Sequence, residues 1–166
     1  MSKSAALKIA LPSDRGVVMT RDFDAPRELV FDAFTRPELL KRWLAAPGRR
    51  LEVCDIDLRV GGAYRYVWRG PGKHDVGMHG IYREVVAPER YVRTEAWEDW
   101  DAGELLVTAA LVQHGRITTL TSTSIFPSRE VRDAVLKAGM EHGAGESFDT
   151  LAELLASIAS GNGERR

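Results

Sequence analysis

Residues 63–69 read Ala-Tyr-Arg-Tyr-Val-Trp-Arg, and the alternation is strict. In an extended segment Tyr64, Tyr66 and Trp68 fall on one face and Arg65, Val67 and Arg69 on the other. A strand with one large apolar face and one charged face belongs to an antiparallel sheet that covers a core on one side. Working outward, turn signals recur at Gly61-Gly62, at Gly70 to Lys73, at Ala87 to Glu89, at Asp99 to Gly103 and at His114-Gly115. Connections this short join antiparallel neighbours, because a parallel crossover needs a dozen residues or more. The spacing predicts six strands between about residues 49 and 126, and the β-rich segment 16–23 adds a seventh.

Two short helices are expected between that first strand and the rest of the sheet. Pro26 suits the first helical position, Glu28 lies in the first turn where the helix dipole favours an anion, and Leu29, Val30, Ala33 and Phe34 recur at helical spacing. Pro37 ends that helix and starts the next, since the residue before a proline avoids the α region. Leu40, Trp43 and Leu44 form the second apolar stripe.

One long helix is expected from about Arg129 to Ser157, with Ser128 as its N-cap. Val131, Val135, Ala138, His142, Gly145, Phe148, Leu151, Leu155 and Ile158 step by three or four residues and would face the sheet. Gly139, Gly143 and Gly145 each cost about 1 kcal/mol against alanine in a helix interior, which points to a bend or a close backbone approach midway. Residues 1–13 and 159–166 lack periodicity and read as flexible tails, leaving a single domain over 14–158.

Composition narrows the function classes. A chain of 166 residues, 44% hydrophobic and 28% charged, with a net charge of -1, is an ordinary globular protein without an electrostatic footprint for nucleic acid. Its single cysteine, Cys54, excludes an internal disulfide, and no apolar run approaches a membrane span. A cytoplasmic protein that uses no membrane is the expectation.

Five further stretches carry a resemblance: residues 21–30 (RDFDAPRELV), 36–43 (RPELLKRW), 57–64 (DLRVGGAY), 80–90 (GIYREVVAPER) and 139–143 (GMEHG). In this order, over residues 17–157, the chain resembles the START-like (SRPBCC) helix-grip superfamily. Within it, the match is to the bacterial homologues of the C-terminal domain of the heat-shock protein 90 ATPase activator. The resemblance implies an α+β helix-grip fold: a curved seven-stranded antiparallel sheet wrapped around a long C-terminal helix, with two short helices after strand 1. Many members carry Gly-Trp in the middle of the last helix, where this chain has Gly143-Ala144. Loss of that aromatic either opens a cavity or leaves space that Trp68 or Trp97 fills.

Candidate site residues follow from the apolar face of the sheet and from the last helix. Tyr64, Tyr66 and Trp68 are either plain core or the lining of a cavity, and tyrosine and tryptophan bring polar atoms that need partners when buried. Trp43, Met78, Tyr82, Trp97 and Phe148 are further candidates for the wall. His142 lies on the helix stripe and would point inward, as a packed core residue or as a hydrogen-bonding group or base. Glu84 and Glu95 are read as facing solvent, with Arg65, Arg69 and Arg83 on the same outer face.

No metal site, cofactor or catalytic constellation is recognised. The histidines are scattered, Cys54 has no neighbouring base, and Gly61-Gly62 precedes no helix. The leading expectation is a protein that binds a small, mostly apolar molecule between sheet and C-terminal helix, as a carrier, sensor or sequestering protein. An enzyme of the cyclase, aromatase or hydrolase kind would use the same cavity, with His142, Tyr66 or Tyr82 moving a proton. A third reading is a module that binds a chaperone or another protein. A homodimer is compatible with each, and the sequence is silent on its interface.

Overall fold

The computed structural model describes residues 6–46 and 48–164, with side chains as far as residue 161. Strand β2 (Gly16–Asp24) buries Val17, Met19, Arg21 and Phe23 along one face, the period-two pattern of a half-buried strand. It leads into α1 (Arg27–Thr35) and α2 (Pro37–Trp43). Arg36 closes the first helix and opens the second in an extended conformation, φ −106° and ψ 122°, which Pro37 imposes on its predecessor. The meander follows as β3 (Arg50–Ile56), β4 (Ala63–Arg69), β5 (Val76–Val86), β6 (Arg90–Trp97), β7 (Leu105–His114) and β8 (Ile117–Ile125).

These strands form one antiparallel sheet with an additional edge strand, β1 (Lys8–Ala10), in the order β1-β2-β8-β7-β6-β5-β4-β3. The strand count among the described residues is therefore eight, where the sequence pattern predicts seven. Three residues are too few to show a period, but Lys8, Ile9 and Ala10 pair with Thr20, Met19 and Val18 and so cover the free edge of β2. Part of the expected N-terminal tail is thus a strand, and residues 1–5 lie outside the described residues. Register shifts between Leu51 and Val53 and between Tyr82 and Glu84 interrupt the ladders, and bulges of this kind bend and twist a sheet.

The expected single helix is two helices, α3 (Arg129–Lys137) and α4 (Met140–Glu164). Ser128 caps α3 as predicted, its hydroxyl accepting from the Val131 backbone N–H at 3.1 Å. Gly139 then adopts φ +102°, a left-handed conformation that stops a helix and that glycine alone reaches without strain. The predicted bend is thus a complete break. Gly143 and Gly145 continue inside α4 with open space around them, so close backbone approach is not their role. At the other end α4 runs to Glu164 through the expected tail, and residues 165–166 lie outside the described residues.

On α4 the residues that pack inward include Ala144, Phe148, Leu151, Leu154, Leu155 and Ile158, with Leu151 fully buried. Phe148 meets Phe23 of β2 edge-to-face with 6.0 Å between ring centres. A smaller core of Val17, Met19, Leu105, Val107 and Phe126 lies under α3, where Val131 and Val135 cover it.

Candidate ligand site

Between the inner face of the sheet, α2 and the start of α4 lies a cavity of about 360 Å³. Of the candidate residues, Trp43, Tyr66, Trp68, Met78, Trp97 and Phe148 border it. Ala144 and Gly143 border it from α4. Trp68 and Trp97 stack on the sheet side, 6.0 Å apart and 29° from parallel. Trp43 and Phe148 meet on the helix side at 6.1 Å and 36°.

Two of the indole N–H groups at the cavity, those of Trp43 and Trp68, are already used. Trp43 donates to the Ala33 carbonyl at 2.9 Å, and Trp68 donates to the Leu44 carbonyl at 3.1 Å. Both rings are therefore fixed by backbone partners and offer apolar faces to the space.

Tyr64 and Tyr82, the other tyrosine candidates, lie deeper. Gly80 makes room for Tyr64: a Cβ at Gly80 would come 2.8 Å from the tyrosine ring. The Tyr64 hydroxyl donates to the Thr94 carbonyl at 2.5 Å. Together with Tyr66 and Tyr91 these rings surround Arg93, whose guanidinium carbon lies between 4.1 and 5.9 Å from the four ring centres. Arg93 Nη1 donates to the Tyr66 hydroxyl at 2.9 Å and to the Tyr82 hydroxyl at 3.4 Å, and Nη2 donates to Glu95 Oε2 at 3.2 Å. Arg93 and Glu95 both border the cavity.

Burial pushes the Tyr64 and Tyr66 hydroxyls far above the ordinary tyrosine value, raises Tyr82 and takes Tyr91 to about 12, against the opposing pull of Arg93. All four rings keep their protons near neutral pH. Burial alone would weaken the charge on Arg93, but the neighbouring tyrosines and Glu95 outweigh it and hold its pKa above the ordinary arginine value. The Cys54 thiol is pushed up to about 11 by burial and stays protonated as a packed strand residue.

His142 does not enter the site. Its side chain is 82% exposed, and Nε2 lies 3.3 Å from Glu146 on the following turn. The stripe that placed it inward steps by three residues from His142 through Gly145 and Phe148 to Leu151, and at about 100° per residue these steps carry His142 round to the side of α4 opposite the buried Leu151. Glu95 also departs from expectation, being turned into the wall, whereas Glu84 pairs on the surface with Arg90. The sequence reading missed Arg93, although Tyr91, Arg93, Glu95 and Trp97 share one face of β6 by the same alternation that singles out β4.

A larger groove, about 770 Å³, runs between the end of β2, the β7–β8 turn and α4. Its rim holds Asp24 and Arg116, already paired at 2.8 Å on the surface. The smaller cavity has the aromatic walls and few polar groups that small-molecule sites favour.

The sequence profile of the Activator of Hsp90 ATPase homolog 1-like protein family matches residues 24–156. The chain belongs to this family. Solved structures agree: a protein of Rhodobacter sphaeroides is 31% identical, with a TM-score of 0.88 over 92% of this chain and 99% of that one. A protein of Chromobacterium violaceum is 27% identical, with a TM-score of 0.73 over 84% and 96%. One from Staphylococcus epidermidis is 26% identical, with a TM-score of 0.78 over 90% and 94%. No curated protein matches the chain. Among the described residues no helix is long and apolar enough to cross a membrane, and no group of three or more histidine, cysteine or carboxylate side chains is gathered for a metal ion.

Proposed function

We propose that this member of the family binds a small, mostly apolar molecule in the cavity between the sheet and α4, as a carrier, sensor or sequestering protein of the cytoplasm. The observation that carries the reading is the cavity itself, about 360 Å³, walled by Trp43, Trp68, Trp97 and Phe148 and open where Ala144 replaces a large aromatic. Fixed aromatic walls reduce the ordering cost of binding. A buried reduced cysteine suits a reducing compartment.

Binding without chemistry is the better-supported version. Of the groups that would move a proton, His142 is outside the cavity, and Tyr66 and Tyr82 hold their protons tightly beside Arg93. A general acid or base works best with a pKa near the working pH.

Native mass spectrometry of the freshly purified protein, with a thermal-shift screen of apolar aromatic compounds beside it, tests the reading. A co-purifying small molecule, or a Tm that rises with compound concentration as mass action requires, is the expected result. A clean mass of the bare chain together with no stabilising compound would contradict it.

A further inference from the structure

We infer that the cavity selects an uncharged, flat aromatic compound that presents a hydrogen-bond acceptor and a donor side by side on one edge, an amide-like edge, to Arg93 and Glu95. The inference rests on the ligand-binding reading above and adds the chemical class.

Among the described residues, Arg93 and Glu95 are the two charged side chains of the cavity wall. They project from the same face of β6 and are 7% and 16% exposed. Their contact, Nη2 to Oε2 at 3.2 Å, is longer than the roughly 2.7–2.9 Å of a well-made charge-assisted bond. Among the described residues Arg93 Nη2 makes no hydrogen bond but this one, and Glu95 Oε1 makes none. A buried ion pair with unused donors and acceptors is unfavourable unless further hydrogen bonds satisfy it. The wall therefore offers one loose donor and one loose acceptor, next to each other, at the end of an apolar space.

Charge decides between ligand types. One arginine and one glutamate leave the wall with no net charge. A carboxylate would gain Arg93 but meet Glu95, and an ammonium would gain Glu95 but meet Arg93. A neutral edge with an acceptor for the guanidinium and a donor for the carboxylate meets neither repulsion. Shape follows from the rings: the Trp68–Trp97 stack on the sheet and the Trp43–Phe148 pair on the helices make the apolar part of the wall aromatic, which suits an aromatic guest.

The test is titration calorimetry of the whole protein with three two-ring probes of similar shape: 2-quinolone, which has the amide-like edge, naphthalene, which has none, and 2-naphthoate, an anion. The expected result is binding of 2-quinolone at least about tenfold tighter than of either other probe, the scale of a hydrogen bond to a charged group. Glu95→Gln, which leaves the wall with a net positive charge, shifts the preference to 2-naphthoate. The wild-type ranking decides the matter even if that variant does not fold. Equal binding of 2-quinolone and naphthalene would leave the apolar cavity standing and overturn the edge recognition. Tightest wild-type binding of 2-naphthoate would overturn the neutral class, and failure of all three to bind would overturn the inference and the cavity reading together.

Discussion

The guanidinium of Arg93 lies 4.1 Å from the centre of the Tyr64 ring, in the interior of a strand-and-helix core that a purely apolar pattern would have filled. Tyr66, Tyr82 and Tyr91 complete the enclosure. Ring faces attract a cation most strongly when water is excluded. This arrangement lets a buried charge stand at the cavity wall with one carboxylate for company.

Removing that charge should be costly. Arg93→Ala leaves Glu95 without its partner and opens a void among four tyrosines, and a loss of about 3 kcal/mol in unfolding free energy is expected by urea titration. Arg93→Lys restores only part of it, because an ammonium cannot reach two tyrosine hydroxyls and Glu95 with fixed geometry.

A second buried cation anchors α4. Arg21 of β2 is 1% exposed at its side chain and donates from Nη1 to Asp149 at 2.9 Å, while its Nε and Nη2 have no partner among the described residues. Asp149→Ala is expected to destabilise by about 2 kcal/mol, discounted because Asp149 itself is largely exposed. Adding Arg21→Met should recover part of the loss, which a double-mutant cycle measures.

Much of the fold was legible in the residues. Alternation gave the strands, Pro37 placed the boundary between α1 and α2, and Ser128 marked the start of α3. The break at Gly139 was half legible, since the glycine cluster predicts a bend but sequence does not reveal a left-handed φ. His142 was misplaced for a different reason, because successive three-residue steps drift around the helix and leave it opposite Leu151 on α4. Arg93 escaped notice for another reason: a charged residue in a strand is normally read as solvent-facing, and only the tyrosines brought from β4 and β5 by sheet pairing make an inward position tolerable. β1 was invisible because its stability comes from the edge of β2 and not from its own three residues.

The two kinds of helix glycine should respond in opposite directions. Gly139→Ala forces a left-handed conformation on a residue with a Cβ and is expected to cost about 1–2 kcal/mol. Gly145→Ala meets open space inside α4 and is expected to stabilise by up to about 1 kcal/mol. Thermal unfolding of the two variants checks both signs.

Acid should weaken the outer face of the sheet in a defined window. Hydrogen bonds from Arg65, at 2.8 and 2.9 Å, and from His79 hold the Glu98 carboxyl down at about 2, against an ordinary 4.5. A carboxyl whose folded pKa is depressed stabilises above its unfolded value, and that contribution disappears as pH falls from about 4.5 through about 2. The pair is at the surface, so its worth is below about 1 kcal/mol. Urea titrations at pH 6 and pH 2.5 should show a smaller acid loss for Glu98→Gln than for the wild type.

The most direct test of the central claim places a large ring in the cavity at Ala144, the position that borders it from α4. Ala144→Trp is expected to abolish calorimetric binding of the aromatic probe that the wild type binds best while keeping the fold, and His142→Trp, on the exposed side of α4, should leave binding unchanged. Undiminished binding by a folded Ala144→Trp protein would contradict the account, because the ligand would then lie somewhere other than between the sheet and α4.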